Sequence, residues 1–524
     1  MSLPGTLMCK WCFVPALLGL PLLLFKLLCL RKRKLPTPPG PRISFFSWGN
    51  TVAMPNSYQW LTYAAWKKTY GDFIFLNAFR NHILVLNSVQ VAQDLLDKRS
   101  AIYSSRPVRV MMTELMGFDF LFTGMKYNSW YKQHRTMFQH HFHHTVVPRY
   151  QYIQEKHAHT LLRNLAFTPD GALEHNMRRT TAALVLEICY GIHVADAGDE
   201  YVALADKALA GISLSGNFGT FMVDYFPFLK HVPAWMPGAK FKRDGLRVRE
   251  FSRGLLNYAF DSTKQKLERG CAEPSLMTME LESLFRDAPQ KSRWDEREKI
   301  IKDVVATAYA AGSDTTLSTL LSFVLAMVLH PEVQAKACVE LDRVVPKDRL
   351  PDFSDRDQLP YINCIAWECL RWQPAVNIAL GHYLTEEDEY QGYRIPKGTT
   401  CLANLWAMLH DPKRYPEPFE FNPDRFVDSA ANHAKSINPV PEFEFGFGRR
   451  QCPGRFLALD TIWIVIATTL YSYRILKALD GDGKEIEPRV EYTTGLISLP
   501  RPFKYRVVPR SAEIERLIEA TRIE

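Results

Sequence analysis

Cysteine is scarce and scattered here, ten residues in 524, which excludes a disulfide scaffold. Cys9 and Cys12 form a C-x-x-C pair, but no second pair stands at zinc spacing. The chain has no Asn-x-Ser/Thr acceptor, as suits a body facing the reducing cytosol. There is no G-x-G-x-x-G fingerprint, and the stretch beyond Arg455 is too short for a flavin domain. Internal repeats and low-complexity stretches are also missing. Apolar residues make up 47% and charged residues 23%, the balance of a globular chain rather than a disordered one.

The net charge of +8 does not point to nucleic acid. Seven of the 64 basic residues (Lys10, Lys26, Arg31, Lys32, Arg33, Lys34, Arg42) lie at the N-terminus, leaving 57 against 56 acids in the rest. The excess belongs to a local feature. Trp11 to Leu30 reads WCFVPALLGLPLLLFKLLCL, about the ~20 residues that cross a bilayer core. The block Arg31-Lys32-Arg33-Lys34 follows at once and should hold that end in the cytosol. A cleaved signal peptide would carry its basic block before the apolar run, not after it. Residues 1–34 therefore read as a single membrane anchor, 35–42 as a proline-rich hinge, and 43–524 as one large catalytic domain.

Long helical patterns dominate that domain, among them Lys299 to Leu329 and Asp460 to Tyr473. Short strand-like runs, Phe73 to Leu76 and Ile83 to Leu86, flank a turn-like Arg80-Asn81-His82. Tyr390 to Cys401 reads as a strand pair with a turn. The expected class is mainly α with small peripheral β-sheets.

Phe445-Gly446-Phe447-Gly448-Arg449-Arg450-Gln451-Cys452-Pro453-Gly454 is the most informative segment. It resembles the cysteine signature of the cytochromes P-450, F-G-x-G-x-R-x-C-x-G, at all six specified positions. The resemblance implies a P-450 fold, haem b as cofactor and Cys452 as axial thiolate ligand of its iron. A sulfur that meets iron needs a loop close to the porphyrin, which the glycines suit. Arg450 suits a haem propionate, because guanidinium pairs with carboxylate in a fixed fork.

Other segments extend the resemblance. Glu368 and Arg371 stand three apart and precede Asn422-Pro423-Asp424-Arg425-Phe426, similar to the family's E-x-x-R helix and P-E-R-F-like segment, with Asp424 where Glu is frequent. The implied role of Glu368, Arg371 and Arg425 is a buried structural charge cluster. Ala311-Gly312-Ser313-Asp314-Thr315-Thr316 resembles the A/G-G-x-D/E-T-T/S motif of the helix above the haem. Thr315 can turn its hydroxyl onto the Ala311 carbonyl and loosen the helix; by resemblance Asp314 and Thr315 relay protons to bound dioxygen. Trp130-Tyr131-Lys132-Gln133-His134-Arg135 is similar to the family's W-x-x-x-R helix with a departure, since Tyr131/Arg135 and Trp130/His134 both have the spacing. Arg135 is favoured for a propionate, with His134 as the alternative. His382 stands where relatives carry a cation for the other propionate. The run His140, His141, His143, His144 lacks a completing acid or cysteine and reads as a surface helix end.

The resemblance implies insertion of one oxygen atom from dioxygen into a small apolar or aromatic substrate. Electrons would come from a separate NADPH-cytochrome P-450 reductase, docked near Lys132 and Arg449. The body would face the cytosol from the endoplasmic reticulum membrane. Substrate contacts are expected from Met111–Phe122, Asn217–Trp235, Ala306–Ala310, Ala375–Leu380 and Thr493–Ile497. Tyr190-Gly191-Ile192 and the cysteine loop look most similar to fungal members that tailor secondary metabolites such as terpenoids. A haem-thiolate isomerase or dehydratase independent of NADPH, and a haem sensor or carrier, remain as alternatives.

Overall fold

The computed structural model describes residues 35–42, 49–167, 173–194, 199–216, 219–287, 291–427 and 442–522. The expected anchor at 1–34 lies outside them. The proline segment is docked, not a free hinge. Phe75 N donates to Pro39 O at 2.9 Å, and Arg394 N donates to Pro36 O at 2.8 Å. A Cβ on Gly40 would stand 2.0 Å from Phe75 O, so the crossing admits only glycine.

The body is built from α1 (Gln59–Tyr70), α2 (Ser129–Phe142), α3 (Gln151–Phe167), α4 (Leu173–Tyr190), α5 (Glu200–Gly216) and α6 (Lys240–Glu268). It continues with α7 (Leu276–Asp287), α8 (Lys291–Leu329), α9 (Pro331–Val344), α10 (Pro360–Trp372), α11 (Arg455–Ser472) and α12 (Ala512–Ala520). Among the described residues, three small sheets lie at the periphery. One has the order β1 (Phe73–Ala78), β2 (Asn81–Leu86), β6 (Thr400–Ala403), β3 (His382–Tyr383). The second pairs β4 (Asp388–Tyr390) with β5 (Tyr393–Ile395), and the third sets β7 (Tyr473–Leu479) between β8 (Glu485–Ile486) and β9 (Tyr505–Pro509).

The β1–β2 hairpin is longer than its apolar runs suggest. Its turn is Phe79-Arg80, with φ of 49° and 68°, and Ala78 already pairs with Asn81. Both central residues are left-handed, as a two-residue hairpin with the strands' own twist requires.

Helix α8 carries the architecture. It is 39 residues long, and its polar side chains bond back to their own helix. Thr307 donates to Asp303 O at 2.7 Å, Ser313 to Tyr309 O at 3.1 Å, and Ser322 to Ser318 O at 2.9 Å. That is how a helix with many hydroxyls stays buried. Helices α8 and α11 are long and apolar enough to cross a membrane, but 83% and 67% of their apolar windows are buried in the body. They are core helices. The core divides into two main clusters along α8. Ile300 to Ala310 pack with α2, α4, α5 and α7, while Leu317 to Val328 pack with α10, α11 and the sheets. The motif at 311–316 sits at the seam.

Candidate active site

The seam opens into a cavity of about 290 Å³. On one side lie Ala308, Ala311, Gly312, Thr315 and Thr316 of α8; facing them is the cysteine loop, with Gly446, Arg450, Cys452 and Gly454. The groove over α8 is open because Gly312 has no side chain: a Cβ there would meet only Val185 of α4, at 3.3 Å. Thr315 Oγ1 donates to Ala311 O at 2.8 Å.

The cysteine loop is held by backbone bonds. Cys452 N donates to Phe445 O at 2.7 Å, and Gly446 N to Phe443 O at 3.0 Å. Burial pushes the Cys452 thiol up; backbone bonds from Gly454 and Arg455 and the charges of Arg135 and Arg455 pull it down. Those are the donors that would spread charge on a metal-bound sulfur. The three glycines divide their work in a way the sequence does not show. Gly446 and Gly454 line the cavity. Gly448 faces away: at φ +54°, its Cβ would stand 2.2 Å from Leu96 O. It lets the loop dock on residues 93–98.

Three guanidinium groups, Arg106, Arg135 and Arg450, line the cavity together. Arg450 donates Nε to Ser104 O at 2.7 Å and lies over the Tyr131 ring at 3.6 Å, while its buried Nη1 has no hydrogen-bond partner. Burial, opposed by Tyr131, lowers it to about 10. Arg106 donates Nη1 to Leu380 O at 2.6 Å and Gly381 O at 2.9 Å; burial, joined by the Arg450 charge, brings it down to about 9. Arg135 is lowered by burial too. Glu444 is the one carboxyl among the described lining residues. Burial holds it well above the usual carboxylate range, so it offers the arginines little negative charge. Three buried cations without a counter-charge cost several kcal/mol unless an anion joins them. The two propionates of haem b would supply that charge. Sulfur, groove and arginines thus fit this cofactor.

Sequence reasoning missed Arg106. The available signal was an arginine in Tyr103-Ser104-Ser105-Arg106-Pro107, a stretch that only the tertiary fold brings beside His382 and Arg450. His382 lines the cavity, and its ring bonds through Nδ1 to Tyr103 O at 3.0 Å. Burial, and then the charges of Arg106 and Arg450, hold it well below its ordinary value. Burial and these two charges oppose the cationic form of His382, and Arg106 is the guanidinium beside it.

The structure separates the two α2 candidates and sets Asp314 back from the cavity. Tyr131 and Arg135 line the cavity, but His134 does not. It is turned toward α8, with Nδ1 2.8 Å from Trp130 O and Nε2 3.3 Å from Asp303 Oδ2. Asp314 also stands off the cavity wall. Its Oδ1 accepts from Arg178 of α4 at 2.9 Å, and Arg178 reaches Asp206 at 3.4 Å and Glu174 at 3.3 Å. Burial raises the Asp314 carboxyl, against the pull of Arg178. Only Thr315 of the pair touches the cavity directly.

Behind the cysteine loop, Glu368 and Arg371 are fully buried. Arg371 donates to both Glu368 oxygens at 2.7 and 2.8 Å, and to the carbonyls of Leu409, Pro418 and Glu420 at 3.1, 2.7 and 3.1 Å. Glu368 Oε1 also accepts from Asn422 N at 2.8 Å and Arg425 Nε at 3.2 Å. The N-terminus of α10 is capped by Glu340, which accepts from Tyr361 N at 3.0 Å. The histidine run is not wholly a surface feature, since His141 is buried and bonds Glu280 at 2.7 Å.

A smaller cavity of about 60 Å³ adjoins the first, sharing Arg106, Thr123, Ala379 and Leu380, and adds Met112, Phe118, Leu121, Gly216 and Leu496. Four of the five expected substrate stretches meet one cavity or the other. The described part of Asn217–Trp235 meets neither; Phe228 and Trp235 are 67% and 79% exposed.

Comparison with known proteins agrees with this geometry. The family model for Cytochrome P-450 matches residues 38–507. Cytochrome P-450 monooxygenase 208 of Postia placenta is 40% identical, the match covering 93% of this chain and 92% of that one. Tryptamine 4-monooxygenase of Psilocybe cyanescens is 36% identical, over 92% of this chain and 94% of that protein. A zebra fish cytochrome P-450 solved with progesterone shares the fold at a TM-score of 0.70 and 23% identity, covering 86% of this chain and 99% of that one. The chain belongs to the cytochrome P-450 family, haem b-dependent monooxygenases, and is an oxidoreductase.

Proposed function

We propose that this monooxygenase oxidises a neutral, apolar or aromatic small molecule, with Cys452 as the axial sulfur and Arg106, Arg135 and Arg450 as the propionate partners. The observation that carries the reading is the convergence of that sulfur and three under-compensated arginines on one cavity roofed by an open helix groove. Haem, when bound, supplies dioxygen activation and C–H oxidation. The chain supplies the rest. Tyr131 stacks on Arg450 and fixes its fork. Thr315 lines the cavity and holds a hydroxyl proton there, while the Arg178–Asp314 pair connects that groove with the half-exposed Asp206 and Glu174. Proton entry along this line is the role we assign to Asp314, acting through Thr315 rather than at the cavity.

The α8 side of the cavity is lined by alanine, threonine, valine, leucine and phenylalanine, with no carboxylate to receive an ammonium. This favours neutral guests, terpenoid or aromatic, over cationic amines, a choice that suits the tailoring of fungal secondary metabolites. Electrons come from an NADPH-cytochrome P-450 reductase, for which exposed Lys132 and Arg449 offer docking cations. A single N-terminal span in the endoplasmic reticulum membrane, with the body cytosolic, completes the reading. Exposed Phe228 and Trp235 near Lys230 and Lys240 suit a rim that touches the lipid interface. The test is spectroscopic. The reduced, carbon monoxide-treated protein should show the red-shifted Soret band of a thiolate adduct, and Cys452→Ser should abolish it; a band that survives the substitution refutes the assignment.

A further inference from the structure

Two aromatic chains lead away from the cavity, and their charge settings are opposite. On the cysteine-loop side, Tyr131 stands 5.6 Å from Tyr127, centroid to centroid. Cations crowd that pair: Arg450 over Tyr131 at 3.6 Å, Arg449 and Lys132 over Tyr127 at 5.5 and 5.1 Å. On the α8 side, Tyr309 lies within one turn of the lining residues Ala308 and Gly312. Its ring is 5.3 Å from Tyr201 of α5, and Tyr201 stacks on Tyr258 of α6 at 5.8 Å and 29°. Tyr309 and Tyr201 are buried, whereas Tyr258 is 50% exposed. After burial, the Tyr309 phenol is raised by Tyr201 and by the carboxylates of Asp206, Asp314 and Asp199, the first two of which share the Arg178 guanidinium.

Tyr201 donates its buried hydroxyl to Leu255 O at 3.1 Å, so the phenol sits in the core without an unsatisfied donor. A row of phenols adds one property that phenylalanine lacks: each can lose an electron and a proton to a strong oxidant at short range. Neighbouring carboxylates favour such a positive hole and take its proton, whereas neighbouring guanidinium groups oppose it. We propose that Tyr309, Tyr201 and Tyr258 form a discharge relay that carries a one-electron hole from the haem site to the protein surface when no substrate consumes it. The relay rests on haem occupying the Cys452 cavity.

The oxidant is a peroxide that has reacted at the haem site. That site gains one electron from Tyr309, whose phenolic proton passes to the surrounding carboxylates. Tyr201 then reduces Tyr309, and Tyr258 reduces Tyr201, each phenol recovering its proton. A peroxide brings two oxidising equivalents, so the relay runs twice, and the two electrons with two protons complete its reduction to two molecules of water. An external thiol or ascorbate returns one electron and one proton to Tyr258 each time. The inner site is spared oxidation of its own porphyrin.

The test uses the haem-loaded full-length protein with hydrogen peroxide, without substrate or reductase. Haem bleaching is followed at the Soret band, and a nitroso spin trap with peptide mapping locates protein radicals. Wild type should yield an adduct on Tyr258, and ascorbate should slow its bleaching. Y201F should lose the Tyr258 adduct, bleach several-fold faster and no longer respond to ascorbate. Y258F, altered only at a half-exposed ring, should also bleach faster, whereas Y127F should match wild type. A Tyr258 adduct that persists in Y201F, or equal bleaching in Y201F, Y127F and wild type, overturns the relay. A normal carbon monoxide band in every variant shows that such a failure is the relay's own, not that of the haem-thiolate assignment.

Discussion

Arg371 has no spare hydrogen-bonding capacity, and that makes Arg371→Lys the sharpest test of the buried cluster. The guanidinium has five N–H donors, and the structure gives it five acceptors: two oxygens of Glu368 and the carbonyls of Leu409, Pro418 and Glu420. Lysine keeps the charge but offers three donors on a single nitrogen, so at least two of the five bonds are lost, although Glu368 Oε1 and Glu420 O keep Arg425. A hydrogen bond to a charged group is worth ~1.5–3 kcal/mol, so the substitution costs roughly 3–6 kcal/mol. Arg371→Ala additionally leaves Glu368 to Arg425 and one backbone N–H, and breaking a buried pair of this kind costs ~3–5 kcal/mol. Against a typical total stability of ~5–15 kcal/mol, both substitutions threaten the fold behind the cysteine loop. The assay is haem content per protein together with the thermal midpoint. Arg371→Lys should lose most of its haem and melt well below wild type, with Arg371→Ala worse. An Arg371→Lys protein with full haem and an unchanged midpoint would refute the donor-by-donor reasoning, because charge alone would then suffice.

Further outcomes follow from particular contacts. Gly448→Ala should fail to load haem even at low expression temperature, since its Cβ meets the Leu96 carbonyl in a left-handed backbone; full loading by absorbance would contradict this. Asp314→Asn, with normal haem content, should lower the rate of turnover by about 10²-fold or more, whereas an unchanged rate would remove Asp314 from the proton path. His410 is buried beside Arg371 and held at about 3, mainly by burial, so the folded state resists protonation while the unfolded state accepts it below its ordinary 6.5. Stability is then full above pH 6.5 and is lost as pH falls, by about 1.4 kcal/mol at pH 5.5 from this group. Denaturant titrations should show that His410→Gln loses less stability than wild type between pH 7.5 and 5.5.

Legibility in the sequence followed the range of the contact. The Thr315 hydroxyl on Ala311 O and the Glu368–Arg371 pair are local helix geometry, so spacing alone places the partners. The cysteine loop is a contiguous segment and is equally readable. Arg135 and His134 are adjacent on α2, about 100° apart around the helix axis, so spacing leaves the choice between them open; Asp303 on α8 draws His134 to itself. Asp314 could not be placed, because its partner Arg178 comes from another helix. Arg106 stayed hidden because its acceptors Leu380 O and Gly381 O and its neighbour Arg450 come from distant parts of the chain. Gly448 looked like a glycine for the cofactor, yet it clears the backbone at Leu96.

The clustered arginines also bear on how the enzyme matures. A pocket that repels itself until a dianion arrives makes its prosthetic group a folding partner as well as a reagent. Supply of that group then governs how much chain survives quality control, and a porphyrin lacking both carboxylates should be a poor substitute even if it carries the same metal.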